Sequence, residues 1–245
     1  MELFTILATC SALTFGTGSP VEQAYPYTKE ECQQAASEYK GMLTKVKLNE
    51  VDRDAISRVA FAEAANQGDA GIAGVVYTII NRFVSGNFGA SISDVVNAPR
   101  QFEPVSKVGG NWKKLPEVNT AQRSKVDTII NLALDGHLPD LTNGALFFQN
   151  PKIVADREKK GTVSKGLTNF GGSEPSAVIN DHAFFAAVSN AAPVTVQANK
   201  AADIPEPKKW DVFGNSRKSM NDNNAAWDVF GGKSTGNKSV FEGEQ

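Results

Sequence analysis

The length and composition of the chain limit its function before any motif is considered. Its 245 residues are 41% hydrophobic, enough for one sizeable buried core with terminal appendages. The net charge is −2 and no long run of lysine or arginine occurs, which argues against a nucleic-acid partner. Two cysteines are too few for a disulfide scaffold, and the two histidines lack the spacing of the common zinc motifs. We therefore expect no metal and no cofactor.

The chain begins with an apolar segment at residues 1–19. This segment is short for a membrane span and has the length of a signal-peptide core, yet Glu2 and the lack of a preceding lysine or arginine are unusual for a signal. Two interpretations stay open: a cleaved signal, or a retained segment used for membrane contact or protein docking. Residues 20–50 follow as a polar, partly helical lead-in, in which Pro20 and Pro26 indicate irregular chain.

The next segment carries one acidic residue on an otherwise apolar helical face. Ile56, Val59, Ala60 and Glu63 are spaced i, i+3, i+4 and i+7, so in a helix they share one face. A carboxyl group there is desolvated and lies near the helix end that Gly68 predicts, and both effects raise its pKa. The pattern thus favours Glu63 as a proton donor near neutral pH. The alternative is that the helical face is shifted by one position, so that Glu63 lies on the solvated side of the helix.

Two further helices are predicted from apolar periodicity. One begins near Asp69, has a continuous apolar face and ends at Gly86. The other covers residues 120–134 and stops at Gly136. Both faces are predicted to contribute to the core.

Two aromatic-rich stretches, 145–149 and 182–188, are predicted to be short strands. Helices followed by a small sheet indicate an α+β domain, which we place at residues 51–188. The glycine-rich segment between Gln149 and Asp181 has no sustained periodicity. We interpret it as a long loop over the functional site, with an insertion of no function as the alternative.

The composition changes after Val188, and residues 189–245 are rich in Ala, Asn, Lys, Ser and Gly. Such a tail is expected to be disordered, because it cannot bury enough apolar area to order itself. It contains the repeat Trp-Asp-Val-Phe-Gly at Trp210–Gly214 and again at Trp227–Gly231. We interpret the two copies as docking peptides for a protein partner, with packing onto the chain's own domain as the alternative.

Four short sequence blocks occur in order across residues 52–187. The first is the Glu63-Ala64 pair, followed by a glycine-containing turn and an apolar helix that ends in Asn81-Arg82. The others are Gln-Phe-Glu-Pro-Val-Ser at 101–106, Gly-Ala-Leu-Phe-Phe-Gln-Asn-Pro at 144–151 and His-Ala-Phe-Phe at 182–185. Together they resemble the SleB-type cell-wall hydrolases, a family that cuts the glycan strands of peptidoglycan and includes spore-cortex lytic enzymes.

The chain also departs from the family pattern around these blocks. The family commonly has Gly-Glu-Ala-Arg-Gly-Glu where this chain has Ala-Glu-Ala-Ala-Asn-Gln at 62–67, so a second acidic position and a basic one are absent. The Gly-Asn pair before the family's histidine is Asn180-Asp181 here. Glu63 itself is retained. The chemistry is therefore expected to persist, with different substrate contacts.

The resemblance implies a lysozyme-like, mainly helical domain with a small antiparallel sheet, and the chemistry of a lytic transglycosylase. Glu63 would protonate the glycosidic oxygen between N-acetylmuramic acid and N-acetylglucosamine, then accept the proton of the muramyl 6-hydroxyl, leaving a 1,6-anhydro sugar. This reaction needs one carboxylate, whereas most glycosidases need two. Glu103 is the other candidate, and a position across the cleft from Glu63 would favour hydrolysis.

The same resemblance implies that polar and aromatic side chains line a glycan groove, namely Gln101, Phe102, Ser106, Asn150 and His182. Amides, hydroxyls and imidazole can hydrogen-bond acetamido groups and sugar hydroxyls. A structural role is the alternative for each. Asn150 precedes a proline and would suit a turn, and a histidine on a strand is often satisfied locally.

A second class of function competes with the enzyme. In it the domain only binds peptidoglycan, as a structural or adaptor protein of a phage particle or a cell-envelope complex, and the tail tethers it there. The two roles can coexist in one bacteriolytic, virion-associated enzyme. An endolysin held by its N-terminal segment is a third hypothesis. All three place the protein at the cell envelope, in the periplasm or in a phage virion.

Overall fold

The computed structural model describes residues 2–15 and 27–188, so the tail and both of its repeats lie outside the described residues. The α-helices of five or more residues are α1 (Glu2–Phe15), α2 (Lys29–Leu43), α3 (Glu50–Ala64), α4 (Gly68–Ser85), α5 (Ile92–Asn97), α6 (Glu103–Lys107), α7 (Thr120–Leu134) and α8 (Pro151–Lys159), and a four-residue turn of helix lies at Asn169–Gly172. The strands are β1 (Phe147–Gln149), β2 (Ala177–Ile179) and β3 (His182–Phe185). The predicted mainly helical α+β class with a small antiparallel sheet is confirmed.

Helix α3 begins where its sequence provides a cap. The Asn49 side chain accepts a hydrogen bond from the backbone N–H of Asp52, and the Asp52 carboxylate accepts one from the N–H of Asn49, at 3.0 and 3.1 Å. This capping box satisfies two backbone donors that a helix start leaves free. Ile56, Val59 and Ala60 are fully buried against α4 and α7, so the predicted apolar face is confirmed.

Helix α4 is the centre of the domain. It is buried almost continuously from Gly71 to Arg82 and packs on α3, α5 and α7. Gly86 ends it in a left-handed conformation with φ of 69°, as the sequence predicts. Gly74 is needed for close packing, because a Cβ atom there would lie 2.6 Å from the ring of Phe184 on β3. The sheet therefore lies directly against α4.

The three strands form one antiparallel sheet in the order β1-β3-β2. Phe148 pairs with Phe184, and Val178 pairs with Ala183. Every residue of the central strand β3 is buried. The sequence predicts β1 and β3 but not β2, because Ala177–Ile179 lacks the aromatic residues that indicate the other two strands.

The apolar N-terminal segment packs on the domain as α1. Phe4 is 2% exposed and meets the ring of Tyr39 on α2, with 6.1 Å between ring centres. Cys10 and Cys32 form a disulfide that links α1 to α2. The cysteines thus make a single crosslink and no scaffold. Among the described residues, no helix has both the length and the apolar character needed to cross a membrane.

Replacing both Cys10 and Cys32 with serine is expected to lower the free energy of unfolding by about 2–4 kcal/mol. The disulfide closes a loop with a sequence separation of 22, so its loss gives the unfolded chain more conformations. Urea denaturation of the oxidised wild type and the double variant measures the difference. Dithiothreitol should move the wild-type midpoint to that of the variant and leave the variant unchanged. Equal midpoints for all four samples would contradict the prediction.

Candidate active site

Glu63 lies in the last turn of α3, beside a cavity of about 400 Å³. A 3-10 turn follows at Ala65–Gln67, and Gly68 begins α4 with φ of 64°. This tight connection places the end of α3 against the start of α4. Glu63 is half-buried, with the rest of its surface on the cavity wall. The structure therefore places the predicted acid at a concave site.

The cavity lies between the α3–α4 connection and the sheet, with α6 and α8 on its other sides. One part of its wall is polar and contains several charged groups. The rest is apolar and is formed by Phe147, Phe148, Ile153, Leu167 and Phe170. A wall of aromatic rings beside a few converging polar groups is typical of a ligand site.

Burial raises the pKa of Glu63 from its ordinary value of 4.5 to about 8. The negative charge of Glu103 adds to this shift, whereas a hydrogen bond from the Glu103 backbone N–H and the charges of Arg82 and Lys107 oppose it. At neutral pH the side chain is therefore mostly a protonated carboxylic acid. The structure agrees with the direction of the shift that the sequence predicts.

Glu103 adjoins Glu63 but is ionised. It receives two parallel hydrogen bonds from the Arg157 guanidinium, at 3.1 and 3.0 Å, and its carboxylate lies 3.1 Å from the Lys107 ammonium. Burial raises the pKa of Glu103, but the hydrogen bonds and charges of Arg157 and Lys107 outweigh that effect and lower it overall. The cavity thus contains one protonated and one ionised carboxyl group, and the ionised one is held in ion pairs.

Arg82, at the end of α4, also borders the cavity. Its side chain is 2% exposed, and its Nε donates a hydrogen bond to the backbone oxygen of Leu146 at 2.7 Å. Its guanidinium lies over the rings of Phe88, Phe102 and Phe147, at 5.0, 4.9 and 6.0 Å. Burial lowers the pKa of Arg82 and the charge of Glu63 opposes this, so the guanidinium keeps its proton at neutral pH.

Of the predicted binding residues, the structure brings Gln101, Asn150 and His182 to the cavity. The Asn150 side-chain oxygen caps α8 by accepting hydrogen bonds from the N–H groups of Lys152 and Ile153, at 3.1 and 3.2 Å. Only its amide nitrogen is left for a ligand. Burial lowers the pKa of His182, although Asp181 opposes the shift, so the imidazole is neutral.

Phe102 and Ser106 are not among the residues that line this cavity, so its geometry does not support the prediction that they contact substrate. Phe102 is fully buried, under the Arg82 guanidinium and against the ring of Phe148. Phe102 thus packs behind Arg82 and Phe148, which line the cavity wall. Ser106 is exposed on α6, outside the residues that line the cavity. The sequence block was located correctly, but neighbouring positions on a short helix point in different directions.

The segment predicted as a loop over the site does border the cavity, but part of it is the helix α8. Val154, Val163 and Leu167 form a small apolar cluster of their own within it. Phe170 has left-handed φ and ψ of 47° and 49°, and its ring contacts Phe147 and Phe185. Such a conformation is rare for a bulky residue. The sequence contains no signal for it except the two glycines that follow.

A known protein family matches most of the region that forms this site. Residues 66–185 match the family described as Cell Wall Hydrolase. Neither the curated proteins nor the solved structures contain a match to the chain. The matched region begins after Glu63 and includes α4, the sheet and most of the cavity wall. The match supports the predicted SleB-type cell-wall hydrolase family for this domain.

Proposed function

We propose that the protein cleaves the bond between N-acetylmuramic acid and N-acetylglucosamine in peptidoglycan, as a lytic transglycosylase with Glu63 as acid and base. The family supports an enzyme that degrades peptidoglycan, and action on that polymer implies a location at the envelope. One observation carries the finer proposal. Glu63 is a protonated acid on the wall of a cavity, next to a second carboxylate that is already engaged in ion pairs.

The proposed reaction returns Glu63 to its starting state. The Glu63 carboxylic acid gives its proton to the glycosidic oxygen, and the bond from that oxygen to C1 of the muramyl residue breaks. The Glu63 carboxylate then takes the proton of the muramyl 6-hydroxyl as this oxygen bonds to C1. The products are a glycan end with a free 4-hydroxyl and a 1,6-anhydromuramyl end. No water is consumed, and one group serves in both steps.

Hydrolysis is the second candidate, and Glu103 is the observation that favours it. A glycosidase of the two-carboxylate type needs an ionised group to activate water or to attack C1. Glu103 is ionised and adjoins Glu63. However, Arg157 and Lys107 occupy both of its oxygens, and its backbone N–H contacts Glu63 directly. A group held in this way is poorly placed to attack from the opposite face of a sugar.

The remaining lining residues suit a sugar chain. We propose that the aromatic wall of Phe147, Phe148 and Phe170 packs on sugar rings, while Gln101 and His182 hydrogen-bond the polar substituents. His182 has an unpartnered Nδ1 that is buried in the wall. The tail repeats are proposed to tether the domain to a larger assembly, such as an envelope complex or a phage particle.

Product analysis tests the proposed function. Purified peptidoglycan is digested with the protein, and the soluble fragments are examined by mass spectrometry for anhydromuramyl ends. A lytic transglycosylase leaves anhydro ends, which are one water lighter than the reducing ends left by a hydrolase. Reducing ends would instead establish hydrolysis. Binding without release of fragments, by protein shown to be folded, would support the non-enzymatic adaptor.

The activity is expected to fall as pH rises through about 8. Glu63 must carry its proton in order to donate it, and burial raises its pKa to about 8. The value of kcat/KM should therefore be at its plateau near neutral pH and decrease about tenfold per pH unit well above the pKa. Fragment release measured from about pH 4 to 10, with circular dichroism to confirm folding, gives the profile. A decrease that begins near pH 5, as for an ordinary glutamate, would contradict the prediction.

A further inference from the structure

Arg82 is a buried cation without a countercharge. Its side chain is 2% exposed, and it forms no ion pair with any carboxylate in the part of the chain that the structure describes. Its Nε is satisfied by the backbone oxygen of Leu146, but its Nη1 is buried without a hydrogen-bond partner. A buried charge without a partner is strongly unfavourable, so such a residue calls for an explanation beyond packing.

The aromatic rings around Arg82 offset only part of the cost of burying its charge. Phe88, Phe102 and Phe147 offer ring faces to the guanidinium, and cation–π contacts are favourable in a dry site. They do not satisfy the N–H group of Nη1, because a ring face is a weak acceptor. The site therefore holds a rigid cation whose position is fixed from three sides and which lacks an anion.

We propose that Arg82 is the charge partner that Glu63 acquires during the reaction. Both residues line the same cavity, and each is the other's main opposing charge when Glu63 is ionised. In the resting enzyme Glu63 is protonated, so no pair exists. Proton transfer to the glycosidic oxygen creates the carboxylate beside a cation that is already in place. The pair thus forms only after the proton has moved, which favours the transition state over the resting state.

Other charged groups around Glu63 are less suited to this role. Those that line the cavity are Arg100, Glu103, Lys107, Arg157, Asp181 and the titratable His182. Lys107 also lowers the pKa of Glu63, but its ammonium lies 3.1 Å from the Glu103 carboxylate. Arg157 donates both of its terminal nitrogens to Glu103. Arg82, by contrast, is buried, and its Nη1 has no acceptor among the described residues.

This inference rests on the proposed function, but its test does not need the substrate. Glutamate labelled with ¹³C at the side-chain carboxyl reports the titration of Glu63, and Glu63→Gln assigns its signal. Removing the charge with Arg82→Met should raise the titration midpoint of Glu63 by at least about one pH unit. Arg82→Lys, which keeps a charge, should shift it by less. A midpoint that is the same in wild type and folded Arg82→Met would overturn the proposal.

The native arginine provides a second measurement if Arg82→Met does not fold. The ¹⁵Nε signal of Arg82 should titrate in the wild type with the same midpoint as Glu63, because ionisation of Glu63 creates its partner. The titration should be absent in Glu63→Gln. An Arg82 signal that is unchanged across the Glu63 titration would also overturn the proposal. Arg123→Met is the matched control, since Arg123 pairs with Glu50 and Asp127 away from the cavity and should not move Glu63.

Measurements of activity distinguish a failure of this inference from a failure of the proposed function. Arg82→Met should release fragments at least about tenfold more slowly near neutral pH, with the fall in its pH profile moved to higher pH. A residue with only a structural role would lower the rate without moving that fall. If Glu63→Gln remained active, the proposed function would fail whatever Arg82 does. If Glu63→Gln were inactive but the titration of Glu63 in the native protein did not depend on Arg82, only this inference would fail.

Discussion

Glu63→Gln is expected to slow the release of peptidoglycan fragments by roughly 100- to 10,000-fold. Glutamine preserves the size of the side chain but can neither donate nor accept the proton, so both steps of the reaction lose their acid/base group. The rate is measured from soluble muropeptides released by equal amounts of folded wild type and variant. Binding to insoluble peptidoglycan should be retained, because the cavity wall is unchanged.

Stability distinguishes lost chemistry from lost folding in this variant. Burial raises the pKa of Glu63 from 4.5 to about 8, so between these values the unfolded chain ionises and the folded protein does not. The wild type therefore loses stability as pH rises from 4.5 to about 8. Glutamine has no such dependence. Near neutral pH, Glu63→Gln is expected to be at least as stable as the wild type in urea denaturation.

Glu103→Gln is the matched control for the second carboxylate. It removes the acceptor of Arg157 and Lys107, so some loss of stability is expected, but the backbone N–H that contacts Glu63 remains. If Glu63 alone performs the acid/base chemistry, this variant should keep activity within about tenfold of the wild type. A loss as large as that of Glu63→Gln would support a two-carboxylate hydrolase. A fully active Glu63→Gln would exclude the proposed mechanism.

The sequence predicts the position and surroundings of Glu63 well because the signal is local. An acidic residue at i+7 on an apolar face, close to the end of its helix, has both the direction and the surroundings of its side chain fixed by local sequence. The same periodicity predicts α4 and α7. These elements are long enough for their pattern to identify the buried face.

The rest of the cavity depends on contacts between distant parts of the chain. Arg157 binds Glu103 across 54 residues, and neither position has a pattern that indicates the other. Helix α8 has a weak apolar pattern with Val154 as its buried residue, so it could be predicted only as a loop. Phe102 shows that a motif alone does not place a side chain in a cavity. Its sequence block resembles a binding motif, but burial against Arg82 makes it a support.

Two neighbouring residues at the end of α4 have different roles, one at the cavity and one in the core. Arg82 borders the cavity, whereas Asn81 points into the core and is fully buried. The Asn81 side-chain oxygen accepts a hydrogen bond from the Tyr39 hydroxyl at 2.6 Å. Its amide nitrogen donates to the Asp140 carboxylate at 2.9 Å and to the backbone oxygen of Ala145 at 3.1 Å. Asn81 thus joins α2, α4 and the chain that leads into β1.

Asn81→Ala is expected to lower the free energy of unfolding by about 3–4 kcal/mol. The substitution leaves Tyr39, the half-buried Asp140 and the backbone oxygen of Ala145 without Asn81, and it opens a small void in a closely packed region. Asp140 still receives hydrogen bonds from Thr142 and from the Gly144 N–H, which limits the loss. Urea denaturation monitored by tryptophan fluorescence gives the value.

Asn87→Ala is the matched control for this loss, because it removes the same side chain from an exposed position just after α4. It should change the free energy of unfolding by less than about 0.5 kcal/mol. In the folded fraction of Asn81→Ala the titration of Glu63 should keep its midpoint, since the change lies on the core side of α4. A stability near that of the wild type would show that water replaces the lost hydrogen bonds. A shifted Glu63 midpoint would show instead that the position of Arg82 depends on Asn81.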